Sequence, residues 1–286
     1  FDELWNFYSR VEPDIVLHLA AQPLVRESYR IPRETYEINV MGTVNILECI
    51  RQNPCCSSFL NVTTDKVYLN EEKPDYAYKE DDKLDGYDPY ANSKSCSEIV
   101  THSYASSFLN EAGVAVSTAR AGNVIAGGDF SLDRIIPDCV KAVINEQPIT
   151  VRNPGSIRPY QHVLEPLYAY LMIAARQYED EKYAGYYNVG PDDRDCFQTG
   201  ALVDVFVKNW GEGIKWVNKY DGGPHEANFL KLDCSKLKTV FGWKPHWNLD
   251  IAIEKVVEWS KCWISKEDIR ECMDREIEEF IKAGEK

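Results

Sequence analysis

Two kinds of apolar pattern take turns along the first half of the chain. Short, nearly unbroken apolar runs lie at 14–21 (Asp-Ile-Val-Leu-His-Leu-Ala-Ala), at Phe59-Leu60-Asn61-Val62 and at 114–119. Runs of that length with β-branched residues suit strands buried on both faces, as in a parallel sheet. Between them, apolar residues recur at helical spacing. Ile38, Met41, Val44, Ile46, Leu47 and Ile50 mark a helix over 36–52, and Ile99, Val100, Tyr104 and Phe108 mark another that starts near Pro89. Residues 1–10 read as a further helix. Each strand ends in small or polar residues: Ala20-Ala21-Gln22, then Thr63-Thr64-Asp65-Lys66, then Arg120-Ala121-Gly122-Asn123. The pattern predicts an α/β fold, a doubly wound Rossmann-like parallel sheet with its ligand across the carboxyl ends of the strands.

After Gly127-Gly128 the pattern loosens. It predicts a helix over 134–145, a strand over 149–152, a loop through Arg158-Pro159-Tyr160-Gln161-His162 and a helix over 164–178. A strand over 186–190 is expected to return to the main sheet. A helix over 202–210, a strand over 214–217 and a helix over 235–241 follow, and from Leu249 the chain reads as helical to near its end. The stripe Ile269, Cys272, Met273, Ile277, Phe280 and Ile281 is expected to be core packing. The expected division is a Rossmann part in 1–127 and 163–195 and a smaller α+β substrate-binding region in 128–162 and 196–286.

Composition narrows the function. With 286 residues, 44% of them hydrophobic, the chain can bury a full core. A net charge of -14 argues against nucleic acid as partner, because neutralising phosphates needs a basic surface. Nine cysteines, scattered and odd in number, read as reduced thiols and a cytoplasmic protein. No His/Cys grouping has zinc spacing, so no metal is expected. The longest apolar run, near 167–175, is too short to cross a bilayer, so no membrane partner is expected either.

The candidate chemistry sits between Thr63 and Lys94. Tyr90 and Lys94 are four apart on one helix and share a face. A free phenol titrates near ~10 and is a poor base at neutral pH. A cation about 4 Å away at an effective dielectric of about 20 contributes roughly 4 kcal/mol, nearly enough to make Tyr90 a proton acceptor. Tyr178 and Lys182 repeat the spacing inside the acidic run Glu179-Asp180-Glu181 and read as a solvated helix end. Tyr90 differs because a strand ending in Thr63-Thr64-Asp65-Lys66 precedes it. His18, inside an apolar strand, reads as a satisfied core residue.

A dinucleotide sheet normally opens with a strand, a glycine-rich turn and a helix N-terminus that holds the pyrophosphate. No Gly-x-Gly-x-x-Gly lies ahead of the first strand, and Gly211-Glu212-Gly213 is too far downstream. The expectation is therefore a sheet whose first two βα units, about 60–70 residues at about 30 per βαβ step, are missing, with one edge and one face exposed.

Taken together, the chain resembles the extended short-chain dehydrogenase/reductase family, and within it the nucleotide-sugar 4,6-dehydratases. The resemblance spans the whole chain. It rests on His18-Leu-Ala-Ala-Gln22-Pro-Leu-Val-Arg26, Asn39-Val-Met-Gly-Thr43, Thr64-Asp65-Lys66, Gly86-Tyr-Asp-Pro-Tyr90 with Lys94, Arg120-Ala-Gly-Asn123, Asp133-Arg134-Ile-Ile-Pro137, Arg152-Asn-Pro with Arg158-Pro-Tyr-Gln-His162, and His225-Glu-Ala with Leu230-Lys-Leu-Asp-Cys234. The Lys after Asp65 favours the CDP-sugar branch, since the dTDP-sugar enzymes carry Asp-Glu there. The absent glycine motif, and Ala126 and Phe130 where Gly and Trp are expected, depart from the pattern.

The resemblance implies NAD as cofactor, a nucleotide sugar (CDP-glucose in that branch) as substrate, and a homo-oligomer paired through the helix that carries Tyr90. It implies that Tyr90 takes the 4-hydroxyl proton, that Lys94 lowers the Tyr90 pKa and binds the nicotinamide ribose, and that Thr64 bonds the same sugar oxygen. Asp65, protonated, would protonate the leaving C6 hydroxyl. Lys66 would either take the C5 proton, which costs about 5 kcal/mol to hold the amine neutral at pH 7, or stay charged and stabilise an enolate. Ala20, Ala21, Gln22 and Thr63 would line the cofactor site. Asn123, Arg134, Arg158, His162 and His225 would meet the substrate. Two alternatives stay open: a non-catalytic module that binds a nucleotide sugar or a protein, and a related dTDP-sugar dehydratase or nucleotide-sugar epimerase.

Overall fold

The apolar runs are strands, and those of the main sheet pair in parallel. The computed structural model describes residues 1–73, 75–211, 213–223 and 227–285. In chain order the elements of the first half are α1 (Asp2–Val11), β1 (Ile15–His18), α2 (Val25–Arg30), α3 (Pro32–Tyr36), a π-helical turn (Glu37–Met41), α4 (Gly42–Gln52), β2 (Ser58–Thr64), α5 (Pro89–Tyr104) and β3 (Ala115–Ala121). There follow β4 (Asn123–Ile125), α6 (Ile135–Ile144), β5 (Ile149–Val151), β6 (Ile157–His162), α7 (Leu164–Glu179) and β7 (Tyr186–Val189). The chain continues with β8 (Cys196–Gln198), α8 (Thr199–Trp210), β9 (Trp216–Asn218), α9 (Ser235–Phe241), α10 (Leu249–Ile264) and α11 (Ile269–Gly284).

The main sheet has the order β1-β2-β3-β7, and its three pairings are all parallel. Successive side chains of a strand face opposite ways, and β2 shows the consequence. Phe59 joins Tyr8, Leu47 and Ile50 in a core under α1 and α4. Leu60 joins Ala169, Ile173 and Leu237 in a second core under α7 and α9. Helices therefore cover both faces. β1 is an edge strand, and Ile15 within it and Leu19 just past it are exposed.

A third core lies away from the sheet, where α6, α8 and α10 pack around Ile149, Tyr160 and Phe206. Here the structure departs from the pattern-based expectation. The segment from Arg158 to His162 is strand β6 rather than a loop, paired in parallel with β4 and antiparallel with β8. Pro159, which lacks an N–H, sits within it and masks the strand pattern. The expected continuous C-terminal helix is two helices. Its break falls before Asp268, whose carboxylate accepts the Arg270 and Glu271 N–H groups and caps α11. Only part of the α11 stripe is core: Cys272 and Phe280 are buried, whereas Met273, Ile277 and Ile281 are exposed. Gly127 and Gly128 allow α10 to close on the loop after β4. A Cβ on Gly127 would lie 2.2 Å from the Trp259 ring, and Gly128 has a φ of +80°.

Helix α5 starts where Pro89 occupies its first turn and the Asp88 carboxylate accepts the Ala91 N–H at 2.8 Å. Its inner face is polar. Ser93, Lys94, Ser97, Glu98 and Thr101 are buried, whereas Ile99 and Phe108, which announced the helix in the sequence, are exposed. Glu98 is 1% exposed and faces Arg120 of β3, which is 2% exposed. Arg120 Nε and Nη2 each donate to the carboxylate at 2.8 Å, and the Thr63 and Thr118 hydroxyls donate to it as well. The guanidinium lies over the Tyr68 ring at 5.0 Å and the Tyr186 ring at 5.5 Å. Removing one partner of a buried, hydrogen-bonded pair leaves the other charge uncompensated. Glu98→Gln is expected to cost about 3–5 kcal/mol in urea-denaturation stability. A cost within about 0.5 kcal/mol, the range of an ordinary surface substitution, would show that the pair does not anchor α5.

Candidate active site

A cavity of about 920 Å³ opens at the carboxyl ends of β2 and β3 and continues between the main sheet and the α6–β5–β6 region. The end of β2 and the turn after it supply Thr63, Thr64, Asp65 and Lys66 to its wall, and the first turn of α5 supplies Tyr90. Asn123, Arg134 and Arg158 also line it.

Tyr90 is buried, and its burial pushes the phenol up to about 12, opposed by the Thr64 hydroxyl within hydrogen-bonding reach and by the charge of Arg134. The direction is opposite to that expected from the Tyr90–Lys94 spacing. The reason is the desolvation of the phenol itself, while Lys94 Nζ donates to the Val62 carbonyl at 3.0 Å. Burial lowers the Lys94 amine to about 8, with the Glu98 carboxylate acting against that shift. Lys94 lies beneath the cavity rather than in its wall.

Asp65 is 1% exposed. Burial raises its pKa above the usual carboxylate range, against the opposing charge of Lys66 and the hydrogen bond from Thr64. Thr64 Oγ1 donates to Asp65 Oδ1 at 3.0 Å, while Oδ2 has no partner among the described residues. Lys66 is half-buried, on a 3₁₀ turn (Asp65–Val67) that presents both side chains side by side. The site thus holds a hydroxyl, a carboxyl inclined to keep its proton, an amine and a phenol around one space. That set is suited to moving protons at neighbouring carbons of a small polar molecule.

The remaining expected residues divide. Arg158 is buried and donates to the Ile157 carbonyl at 3.0 Å and to the Ala227 carbonyl. Arg134 Nη1 reaches Asp129 at 3.3 Å. Ala20 is exposed and Ala21 half-buried at the end of β1, outside the cavity wall. Gln22 is pinned: its N–H donates to Asn39 at 2.8 Å, its amide nitrogen to Thr35 at 2.9 Å, and its amide oxygen accepts the Leu24 N–H at 2.6 Å. Thr63 lines the cavity, but its hydroxyl is committed to Glu98. His18 contacts the Thr43 hydroxyl at 3.3 Å, and burial lowers its imidazole to about 4, so it is neutral near pH 7.

His162 is a correction. It is 1% exposed and lies outside the cavity wall, with Nε2 2.7 Å from Glu276 of α11 and its ring 5.1 Å from that of Trp247. Alternation gives His162 the same face of β6 as Arg158 and Tyr160, which line the cavity, but it is the last residue of the strand, where α11 meets it instead. His225 lies outside the described residues.

Several participants were missed in the sequence. Glu98 is one turn beyond Lys94, and the run Tyr90, Ser93, Lys94, Ser97, Glu98, Thr101 at helical spacing was the available signal of a polar inner face. Tyr170 of α7 also lines the cavity, buried, with its phenol pushed up by desolvation. Arg26 and Arg152 line it as well, although only Arg134 and Arg158 had been singled out as sites.

With this geometry in hand, the relatives are informative. The family model described as GDP-mannose 4,6 dehydratase matches residues 2–256. The chain is 45% identical over 289 residues to CDP-glucose 4,6-dehydratase of Salmonella typhimurium, covering 99% of this chain and 80% of that protein. Among solved structures, UDP-glucose 4-epimerase of Thermus thermophilus in complex with NAD superposes with a TM-score of 0.81 at 22% identity, over 91% of this chain and 81% of the other. The dTDP-glucose 4,6-dehydratase from Bacillus anthracis in complex with NAD gives 0.73 at 20% identity, over 91% and 76%. These two superpositions establish the α/β Rossmann-like fold. Through the family model and the relative at 45% identity, the chain belongs to the GDP-mannose 4,6 dehydratase family.

Proposed function

We propose that the protein is a carbon–oxygen lyase that converts CDP-glucose to CDP-4-dehydro-6-deoxyglucose with NAD as a resident hydride carrier. The observation that carries the proposal is the meeting of Thr64, Asp65, Lys66 and Tyr90 at one end of a cavity large enough for a nucleotide sugar. The choice of CDP-glucose rests on the Salmonella relative, named CDP-glucose 4,6-dehydratase, and on Lys66 after Asp65.

The residues present fit the nicotinamide end of NAD. Lys94 is buried, and among the described residues its ammonium has one hydrogen-bond acceptor, the Val62 carbonyl, which leaves N–H groups for ribose hydroxyls. Ala20 and Ala21 leave the end of β1 open to close approach. When bound, NAD supplies the acceptor for the C4 hydride and returns that hydride to C6.

The protein's own groups move the protons. Tyr90 accepts the proton of the 4-hydroxyl, with Thr64 bonding the same oxygen and the charge of Arg134 opposing the burial that disfavours a phenolate. The C4 ketone then acidifies C5. Lys66 takes that proton or holds the enolate charge, and Asp65, whose pKa burial raises, protonates the departing C6 hydroxyl. Asn123, Arg134 and Arg158 hold the diphosphate and nucleotide. On the same reading, residues 1–127 and 163–195 form the cofactor-binding part and the rest the substrate-binding part. The protein pairs with a second copy through the outer face of α4 and α5 and the adjoining turns, where Ile38, Met41, Ile99 and Phe108 are exposed.

Four outcomes test this reading. Incubation with NAD and CDP-glucose is expected to yield a 4-keto-6-deoxy product, detected by its absorbance in alkali, with dTDP-glucose a poor substrate. Tyr90→Phe should reduce kcat by about 10²–10⁴-fold, and retention of full activity would remove Tyr90 from the mechanism. Lys94 binds fewer protons folded than unfolded between about 8 and its usual 10.5. Its burial therefore costs stability below about pH 8, and that cost fades as pH rises through the window. Lys94→Met should accordingly raise the melting temperature at pH 7, with the gain shrinking toward pH 10, while activity is lost. Finally, Ile99→Glu should convert a dimer to a monomer in sedimentation analysis, and an unchanged mass would place the interface elsewhere.

A further inference from the structure

The wall of the same cavity carries a closed ring of charges that the proposed chemistry does not use. Arg26, in the first turn of α2, donates from Nη1 and Nη2 to the two Asp221 oxygens at 2.7 and 3.0 Å. Arg152, just past β5, reaches the same carboxylate from Nε at 3.5 Å and Asp133 from Nη2 at 3.3 Å. Asp133 returns to Arg26 at 3.9 Å, and Arg152 also bonds Asp138 of α6. All five side chains line the cavity. The ring joins the main-sheet side to the opposite wall through residues 195 apart in sequence.

Among the described residues it brings together three carboxylates and two guanidiniums. Two of the carboxylates are held by the framework, since Asp138 lies within α6 and Asp133 sits just before it in a left-handed conformation with a φ of 61°. Asp221 instead stands on a loop after β9 and has the most exposed side chain of the five, at 36%. Its Oδ1 also accepts the Gly223 N–H at 3.0 Å, which turns the loop over the Arg26 guanidinium. The absence of a Cβ at Gly223 permits that approach, since one would lie 2.4 Å from Arg26 Nη2.

We propose that Asp221 is an exchangeable stand-in for the substrate's diphosphate: the loop at 219–223 swings away, and the diphosphate takes the carboxylate's place on Arg26 and Arg152. Carboxylate and phosphate oxygens present the same bidentate match to a guanidinium, so they compete for one position. A sugar seated among Thr64, Asp65 and Tyr90 directs its nucleotide toward the ring. The proposal rests on the reading that the site takes a nucleoside diphosphate sugar. It adds two arginines as a specificity-determining pair and makes their counterion a gate.

Calorimetric titration of the protein with CDP and with cytidine isolates the diphosphate. Asp221→Asn keeps an acceptor for the Gly223 N–H but removes the competing charge, and it should tighten CDP about tenfold without changing cytidine. Arg26→Gln should weaken CDP about tenfold or more, again without changing cytidine, and Arg26→Lys should fall between. Unchanged or weaker CDP binding by Asp221→Asn overturns the exchange, as does unchanged binding by Arg26→Gln, with melting temperatures checking that each variant is folded. If Arg26→Gln does not fold, the Asp221→Asn result alone decides. Should the wild type take dTDP or UDP instead of CDP, and Asp221→Asn tighten that ligand, the exchange stands and the CDP-glucose reading fails. Binding of none of these diphosphates defeats both.

Discussion

Two opposite charges, those of Glu98 and Arg120, are buried between α5 and β3, and much of the surrounding architecture serves to keep them there. Burying ions costs several kcal/mol each unless geometry and further hydrogen bonds compensate. Here the compensation is extensive. The Glu98 carboxylate receives a guanidinium fork and two threonine hydroxyls. Arg120 Nη1 donates in turn to the Tyr68 hydroxyl and the Glu80 carbonyl, and Tyr68 donates to Asn188 of β7. One network therefore ties a helix, three strands and the loop after β2 into a single geometry. Tyr90 and Lys94 lie two turns and one turn before Glu98 on the same helix face, so the pair that locks α5 also fixes where the phenol and the amine stand.

The rest of the α5 interface follows the same logic. Asn39, in the π-helical turn, donates to Ser93 at 2.9 Å and accepts the Gln22 N–H. Thr43 meets Ser97 at 2.8 Å, and Asn61 of β2 donates to Ser97 and Thr101 at 2.9 Å each. An apolar interface tolerates small slides of one helix over another, because dispersion is not directional. A ladder of hydrogen bonds does not, since each bond weakens quickly with angle. Placing the polar stripe inward also turns the apolar positions Ile99 and Phe108 outward, onto the face through which pairing is proposed. Rigidity at the reacting groups and stickiness on the outer face are thus two results of one inverted amphipathic pattern.

That inversion accounts for what the sequence did and did not disclose. The strands of the main sheet were legible because burial on both faces leaves unbroken apolar runs, and the Thr64-Asp65-Lys66 and Tyr90 groups were legible because they follow such runs at strand and helix ends. β6 was not, because Pro159 and the polar Arg158, Gln161 and His162 break its pattern while its partners β4 and β8 come from distant segments. The place of His162 was hidden because, although it shares the Arg158 face of β6, α11, distant in sequence, meets it at the end of the strand. The opposing shifts on Tyr90 and Lys94 were illegible for another reason. Helical spacing sets which residues share a face, but the depth of burial and the Val62 carbonyl that holds the amine belong to tertiary structure.

Burial acts on the reacting groups in one direction: it favours the uncharged form of each. It raises Asp65, raises Tyr90 and lowers Lys94. For the role proposed for Asp65, carrying a proton to a departing hydroxyl, this is the favourable direction, reached without a neighbouring acid to enforce it. For the role proposed for Tyr90, accepting a proton, it is the unfavourable direction, and a countercharge has to come from elsewhere. Arg134 supplies part of it from the cavity wall. The same desolvation therefore assigns opposite difficulty to the two halves of a dehydration. On the proposed roles, Asp65 is favoured by the fold alone, whereas Tyr90 depends on the charge of Arg134 in the cavity wall.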